Sequence, residues 1–281
     1  MTQTLQQQLG TAFKLLRESK ELSQSTFEGM GLSRRSIMNF EKSEKMLEID
    51  KLDNALAFMD TSLAEYEYLA NDWALDDFEE TFLTLEHAYY KEDLKVIKKI
   101  EAEYQEKDRR ISLSAKATYT KLTEKEKTFL ADYIFGVEIW GFYELSLLSF
   151  IVEQLSPALM ASIVDGWYNA TAPFKLIFKY RRKMQQCLHR SVMVLCQAKD
   201  KEMAEHLLNR AQKLLFERDT FSRVMHRFVR GYYTWCFLDK EAGNILMKSA
   251  IHIFTETGSE DLAQHYQKVY DIYVTKFLKE S

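Results

Sequence analysis

The residues with the clearest chemical potential are two adjacent arginines, Arg34 and Arg35, in the segment SRRSIMNFEKSE that begins at Ser33. A guanidinium group presents parallel N–H donors that match a carboxylate, a phosphate, or the O6 and N7 acceptors of guanine. Ser33 is placed to cap a helix, and Ile37 and Phe40 have the spacing of its buried face. The pattern predicts a helix whose first turn carries two exposed arginines; the alternative is an ordinary solvated surface helix.

The neighbouring segments favour the first interpretation. An apolar helical face runs through Leu5–Ser19, and a short helix capped at Ser23 is predicted to end at Gly29. A short helix, a tight turn and a second helix form the helix-turn-helix arrangement, whose second helix enters the major groove of double-stranded DNA. The predicted DNA contacts are Lys14, Arg17, Gln24, Ser33, Arg34, Arg35, Met38 and Asn39. Of these, Lys14 and Arg17 are predicted to contact phosphates.

The composition indicates a helical globular protein. The 281 residues include only two prolines and nine glycines, and 46% of them are hydrophobic. Because strands need frequent turn residues, this scarcity favours helices throughout. No apolar run is long enough to cross a bilayer, and the N-terminal sequence lacks the pattern of a signal peptide, so we expect a cytoplasmic protein without membrane association.

Charge is distributed unevenly along the chain. Residues 60–93 carry eleven acids and one base, whereas residues 174–230 carry fourteen Lys or Arg and five Asp or Glu. Residues 1–60 hold eight bases and nine acids, so non-specific attraction of this region to DNA is modest. A homodimer that presents two copies of the region would bind more strongly.

The chain is predicted to be all-α, with a helix-turn-helix domain over 1–64 and a tetratricopeptide-like helical-repeat solenoid over 65–281. The segments AEHLLNRAQKLL and GNILMKSAIHIF align at a period of 39 residues, with Ala204 matching Gly243 and Ala211 matching Ala250. Small residues at these contacts let neighbouring helices pack closely. Breaks are predicted near 72–75, 91, 112, 123, 156–157, 172–173, 200, 219, 239 and 258.

Catalytic and metal-binding patterns are absent from the sequence. It contains no glycine-rich phosphate loop, no GxSxG, no HExxH and no Cys/His constellation, and its six histidines are scattered. The three cysteines, Cys187, Cys196 and Cys236, lie in apolar helical contexts and are expected to be buried, reduced thiols. We therefore expect a protein that is not an enzyme and has no cofactor.

A family resemblance extends these expectations. Residues 9–44 resemble an XRE-type helix-turn-helix, and LDNALAFMDTSLAEYEYLAND resembles the Rgg/GadR/MutR regulators of Gram-positive bacteria. WGFYEL (140–145) and ETGSEDLAQHYQKVY (256–270) are similar to segments of that family. The resemblance implies a dimeric, quorum-sensing transcription regulator that binds a pseudo-palindromic promoter site and a re-imported peptide pheromone. The family's usual glycine is replaced by Ser43.

Two basic stripes provide a candidate site for the peptide. They lie opposite the apolar faces of helices 174–198 and 221–238, which would line the concave wall of a solenoid. Basic side chains on such a wall suit a peptide's carboxylate and acidic residues. The predicted peptide-binding residues are Lys183, Gln186, Arg190, Met193, Arg223, Arg227 and Arg230. The alternative is that both stripes are solvated convex faces.

Other interpretations remain open at this level. The C-terminal helix carries an aromatic row that either forms a dimer contact or packs internally, namely Tyr266, Tyr270, Tyr273 and Phe277. A helical-repeat adaptor that binds a protein partner is an alternative function. A regulator that senses a small molecule other than a peptide is another.

Overall fold

The structure is a computed structural model that describes residues 4–170 and 172–280. Every secondary-structure element in these two ranges is a helix, as the composition predicts. The chain divides into two compact units, one that ends at Glu80 and one that begins at Thr81. Among the described helices, none is both long and apolar enough to pass through a bilayer.

The first unit is a small helical domain. Its elements are α1 (Leu5–Ser19), a 3-10 helix (Gln24–Met30), α2 (Arg34–Glu41), α3 (Ile49–Phe58) and α4 (Leu63–Ala70). Tyr66 of α4 is buried and donates its hydroxyl to the carbonyl of Leu9 at 2.5 Å. The unit therefore extends beyond the predicted boundary at residue 64, because α4 packs on α1.

Aromatic side chains form the core of this unit. Phe13 packs on Phe27 and Phe40 with ring centroids 5.6 and 5.5 Å apart. A Cβ at Gly10 would lie 2.3 Å from the carbonyl oxygen of Phe40, so glycine allows α1 and α2 to pack backbone against backbone. Leu5, which was predicted on the buried face of α1, is exposed.

The second unit consists of helices joined by short links. They are α5 (Asp77–Lys91), α6 (Leu94–Lys107), α7 (Arg109–Ala117), α8 (Glu124–Phe135), α9 (Phe142–Ile151), a 3-10 helix (Val152–Gln154), α10 (Pro157–Ala170), a 3-10 helix (Ala172–Leu176), α11 (Phe178–Gln197), α12 (Lys201–Lys213), α13 (Thr220–Phe237), α14 (Lys240–Glu256) and α15 (Glu260–Glu280). Most of the predicted breaks are found. The predicted break at Ser112 is wrong, because the chain turns at Asp108, whose carboxylate accepts from the backbone N–H of Arg110 and caps α7.

The segment WGFYEL organises the turn between α8 and α9. Glu144 accepts the backbone N–H of Gly141 at 2.9 Å and the hydroxyl of Tyr133 at 3.0 Å. Tyr143 donates its hydroxyl to Asp108 at 2.6 Å, and Trp140 is buried. These contacts give the segment a structural role.

The predicted repeat corresponds to two consecutive helix pairs, α11 with α12 and α13 with α14. Ala204, Ala211 and Ala250 are fully buried at matching positions. A Cβ at Gly243 would lie 2.4 Å from the backbone nitrogen of Trp235 and 2.6 Å from the carbonyl oxygen of Gly231. The small residues therefore set the close approach of the paired helices, as the alignment predicts.

We expect Gly243→Ala to lower the free energy of unfolding of the second unit by about 1–3 kcal/mol, because the added methyl group overpacks a backbone contact. The measurement is hydrogen exchange of the full chain, followed in peptides from α13 and α14. Gly166→Ala is the matched control: it also lies inside a helix, and nothing is within 4 Å of an added Cβ. This control substitution should raise the free energy of unfolding by about 0.5–1 kcal/mol. Equal protection in the two variants would contradict the proposed close contact.

Candidate functional site

The predicted exposed turn of α2 is present. Ser33 accepts the backbone N–H of Ser36 at 3.1 Å and caps the helix, while Ile37 and Phe40 are completely buried. Arg34 and Arg35 are exposed and form no ion pair with any other described residue. The helix is thus held in the domain by its buried face and presents two exposed guanidinium groups on the opposite face.

Three further residues of the predicted DNA-binding set lie on this unit's surface. Met38 and Asn39 are half-buried on α2, beyond the arginines. Lys14 of α1 is exposed, with its ammonium group 4.0 Å from the carboxylate of Glu18. An exposed ion pair of this length contributes little to stability, so Lys14 remains available to a phosphate.

Arg17 has a structural role that its sequence position did not predict. Its Nε and Nη2 donate to the two carboxylate oxygens of Glu41 at 2.6 and 3.1 Å, and Nη1 donates to the carbonyl of Leu22 at 2.6 Å. Gln24 donates its amide nitrogen to Glu41 at 2.7 Å. We therefore withdraw Arg17 from the phosphate contacts, because its donors already bind groups within the domain. Gln24 keeps only its amide oxygen and second N–H for DNA.

The turns on either side of α2 correct one prediction and explain another. The 3-10 helix ends at Gly31, which adopts φ 75°, and the predicted stop at Gly29 lies inside that helix. Ser43 follows α2 at φ 60°, a left-handed conformation that favours glycine. Ser43, the position at which the family resemblance implied a glycine, is therefore a strained serine in this chain.

In the second unit, α11 is surrounded by other helices. Lys183 is buried and forms an ion pair of 2.6 Å with Glu86 of α5. Gln186 also donates to Glu86. Burial alone would raise the pKa of Glu86, but Lys183 and Gln186 outweigh it and the pKa is lowered. The positive charge of Lys183 is therefore balanced by Glu86, and we withdraw Lys183 from the predicted peptide contacts.

The predicted stripe on α13 lines neither of the two cavities that Arg190 lines. Arg223, Arg227 and Arg230 are exposed, and Arg227 donates its Nε to Ser249 of α14 at 3.1 Å. The face of α13 that borders the interior is instead apolar and includes Met225 and Phe228. The three arginines thus lie on a solvated face, and we withdraw them from the peptide-binding set.

Two predicted residues, Arg190 and Met193, do line a common cavity of about 50 Å³. The guanidinium of Arg190 stacks on Tyr89 with its centre 4.6 Å from the ring, and Nη1 lies 3.9 Å from the carboxylate of Glu153. The other lining side chains come from α11, α13 and α15: His189, Met225, Phe228, Val229, His265, Tyr266, Val269 and Tyr273.

Two further cavities adjoin this one. A second cavity of about 30 Å³ shares His189, Arg190 and Tyr266 with it. The second cavity shares Tyr90 and Phe221 with an open groove of about 450 Å³. The groove is lined by apolar and charged residues, namely Leu83, Glu86, His87, Tyr90, Lys91, Arg182, Phe221, Gly258, Ser259, Glu260, Asp261 and Leu262.

The histidines beside Arg190 are neutral at physiological pH. Burial, and then the charge of Arg190, lowers the pKa of His265 to about 4. Burial, and then the charge of His226, lowers the pKa of His189 well below its usual range. His189 Nε2 lies 3.3 Å from His226 Nδ1, a distance that suits one N–H donor and one acceptor. Arg190 therefore supplies the positive charge of the inner cavity.

The aromatic row of α15 packs internally. Tyr266 contacts Phe228 and Tyr273 contacts Tyr232, with ring centroids 5.3 and 5.4 Å apart. Tyr270 donates its hydroxyl to Asn244. The side chain of Phe277 lies outside the described residues. The row thus supports the internal alternative and not an exposed dimer contact.

Several cavity residues were missed by sequence reasoning. Tyr89 and Tyr90 form an adjacent aromatic pair in HAYY, and Glu153 is the single acid in the apolar run LLSFIVEQL. The isolated charge of Glu153 in an apolar segment is the sequence signal that could have indicated a functional residue. Within the described part of the chain, no three histidine, cysteine or acidic side chains are grouped to hold a metal ion.

The described chain consists of a small helical unit followed by a larger helical unit, and comparisons identify its family. Residues 83–268 match the family model for the C-terminal domain of the HTH-type transcriptional regulator Rgg. The match covers more than half of the chain, so the chain belongs to the Rgg family of transcriptional regulators.

Solved structures share the fold over almost the whole chain. The Streptococcus dysgalactiae SHP pheromone receptor Rgg2 is 21% identical, with a TM-score of 0.77 over 94% of this chain and 99% of that one. A Listeria monocytogenes EGD-e protein is 15% identical, with a TM-score of 0.78 over 97% and 98%. PrgX in its complex with cCF10 is 11% identical, with a TM-score of 0.65 over 98% and 93%.

Proposed function

We propose that this protein regulates transcription by binding specific DNA through α2, under the control of a short apolar peptide bound in the second unit. The observation that carries the proposal is the first turn of α2. Arg34 and Arg35 are exposed there without an ionic partner, on a helix whose opposite face is buried. Arginines at this position of a second helix can donate bidentately to guanine.

A homodimer accounts best for specific binding. The first unit carries nearly equal numbers of acids and bases over residues 1–60, so one copy gains little from non-specific attraction. Two copies related by a twofold axis would contact two half-sites, and the DNA site would be a pseudo-palindrome. The protein would act in the cytoplasm, where its DNA target lies.

The peptide part of the proposal is supported by the adjoining cavities of the second unit. The outer groove, at about 450 Å³, has the size typical of ligand sites and includes the apolar side chains Leu83, Phe221 and Leu262. The similar protein Rgg2 is a pheromone receptor, and PrgX has been solved with cCF10. A bound peptide would change DNA binding only if it prefers one arrangement of the dimer. This role requires no catalysis and no cofactor.

The test is selection of DNA from a pool of randomised duplexes by the purified full-length protein. We expect enrichment of one sequence that contains two related half-sites about one helical turn, or a multiple of it, apart. The enriched duplex is then used as the probe in all binding measurements. Failure to enrich any sequence in repeated rounds at low salt would contradict the proposal and favour the protein-binding adaptor.

A further inference from the structure

Arg190 is a half-buried cation without a close ionic partner among the described residues. Only 19% of its side chain is exposed, and its nearest carboxylate, on Glu153, lies 3.9 Å away. No other described residue accepts a hydrogen bond from any of its five side-chain N–H groups. Its position is held mainly by stacking on the ring of Tyr89.

This environment is costly for the protein alone. A buried charge is normally paired and hydrogen-bonded, because the loss of its hydration costs more free energy than stacking on a ring contributes. Lys183, two turns earlier on the same face of α11, meets that requirement through its 2.6 Å ion pair with Glu86. The neighbouring His189 and His265 are neutral and supply no counter-charge. The unsatisfied donors of Arg190 therefore face a cavity that is prepared for an anion.

The cavity has room for a small planar anion. Its volume of about 50 Å³ exceeds what one water molecule needs, and a carboxylate is of comparable size to two waters. Met193, Met225 and Phe228 form an apolar wall beside Arg190. Methionine side chains adapt readily to different shapes, so the wall can accommodate an apolar group attached to the anion.

We infer that Arg190 is the anchor for a carboxylate of the ligand, with an adjacent apolar side chain against Met193, Met225 and Phe228. This inference rests on the proposed function, in which the ligand is a peptide. The carboxylate is either the peptide's C-terminus or an acidic side chain near one end. Glu153, at 3.9 Å, is a weak internal competitor for the same guanidinium.

The experiment measures retention of three peptide pools by the full-length protein in equilibrium dialysis, with mass spectrometry as the readout. All pools are N-acetylated hexapeptides randomised over Leu, Ile, Val, Phe and Gly. One ends in a free carboxylate, one in an amide, and one in an amide with a single Asp placed at random. We expect at least one anionic pool to be retained about tenfold to a hundredfold more than the neutral pool.

Variants assign the preference to Arg190. Arg190→Gln should abolish it, whereas Arg227→Gln, which removes an exposed arginine of the same unit, should preserve it. Glu153→Gln should raise retention of the preferred anionic pool several-fold by removing the competing charge. Retention of the first pool alone identifies the C-terminal carboxylate, and retention of the third alone identifies an acidic side chain.

The outcomes separate this inference from the proposed function. Equal retention of all three pools by the unaltered protein would overturn the carboxylate anchor and leave peptide control intact. A preference that survives Arg190→Gln, with helix content unchanged, would also overturn the anchor. Retention of none of the pools would overturn both. Because the comparison of acid and amide uses the unaltered protein, it does not depend on the folding of any variant.

Discussion

The double substitution Arg34→Ala and Arg35→Ala is expected to reduce affinity for the selected duplex by at least about thirtyfold, since each bidentate arginine contact contributes roughly 1–3 kcal/mol. Stability should change little, because both side chains are exposed and unpaired. The measurement is a titration of labelled duplex at fixed salt, repeated with a scrambled duplex. Specific binding should approach the level of the scrambled control.

Two further variants separate base recognition from simple charge. Arg34→Lys with Arg35→Lys keeps the charge but removes the bidentate geometry, so specificity should fall while binding to scrambled DNA persists. Lys20→Ala with Lys51→Ala removes the same charge from positions outside α2, where Lys20 is exposed and Lys51 is half-buried, and should preserve specificity. Full affinity in the double alanine variant of α2 would exclude this helix as the specificity element.

Glu41→Gln should destabilise the first unit by about 3–5 kcal/mol, because it removes the buried counter-charge of the Arg17 guanidinium and leaves only the exposed Glu18. Glu41 is only 4% exposed and accepts from Arg17 twice and from Gln24 once. The pKa of Arg17 is raised, with its hydrogen bond to Glu41 as the first cause. Hydrogen exchange of the full-length protein should show lost protection in α1 and α2 and unchanged protection in α13.

Glu18→Gln is the matched control for this prediction. Glu18 also contacts Arg17, at 3.2 Å, but its side chain is 53% exposed. An exposed partner contributes about 0–1 kcal/mol, so the control should be close to neutral. If the two substitutions cost the same, burial of the Arg17–Glu41 pair is not what stabilises the unit.

Much of the fold followed from local sequence signals. The scarcity of glycine and proline predicted helices, and Asp200, Asp219 and Asp239 each cap the helix that follows, at the predicted breaks. Capping is a local interaction, so it can be inferred from neighbours in the sequence. The error at Ser112 arose because Asp108, four residues earlier, holds the cap.

The candidate ligand site was predicted less completely because its contacts are distant in sequence. Regularly spaced charges on α11 resemble a solvated stripe, yet the partner of Lys183 is Glu86, on a helix almost a hundred residues earlier. No periodicity within α11 shows that side chains of α5 and α15 lie beside it. Arg190 and Met193 were predicted, whereas Glu153 and Tyr89 became evident only from the packing.

The enclosed position of α11 affects how ligand preference can change among related proteins. Each of its cavity-lining side chains also fills the core, so most exchanges there lower stability before they alter recognition. Residues on the rim of the groove, such as Leu83 of α5, are more exposed and can vary at lower cost. Divergence in specificity should therefore accumulate on α5 and α15, while α11 stays nearly constant.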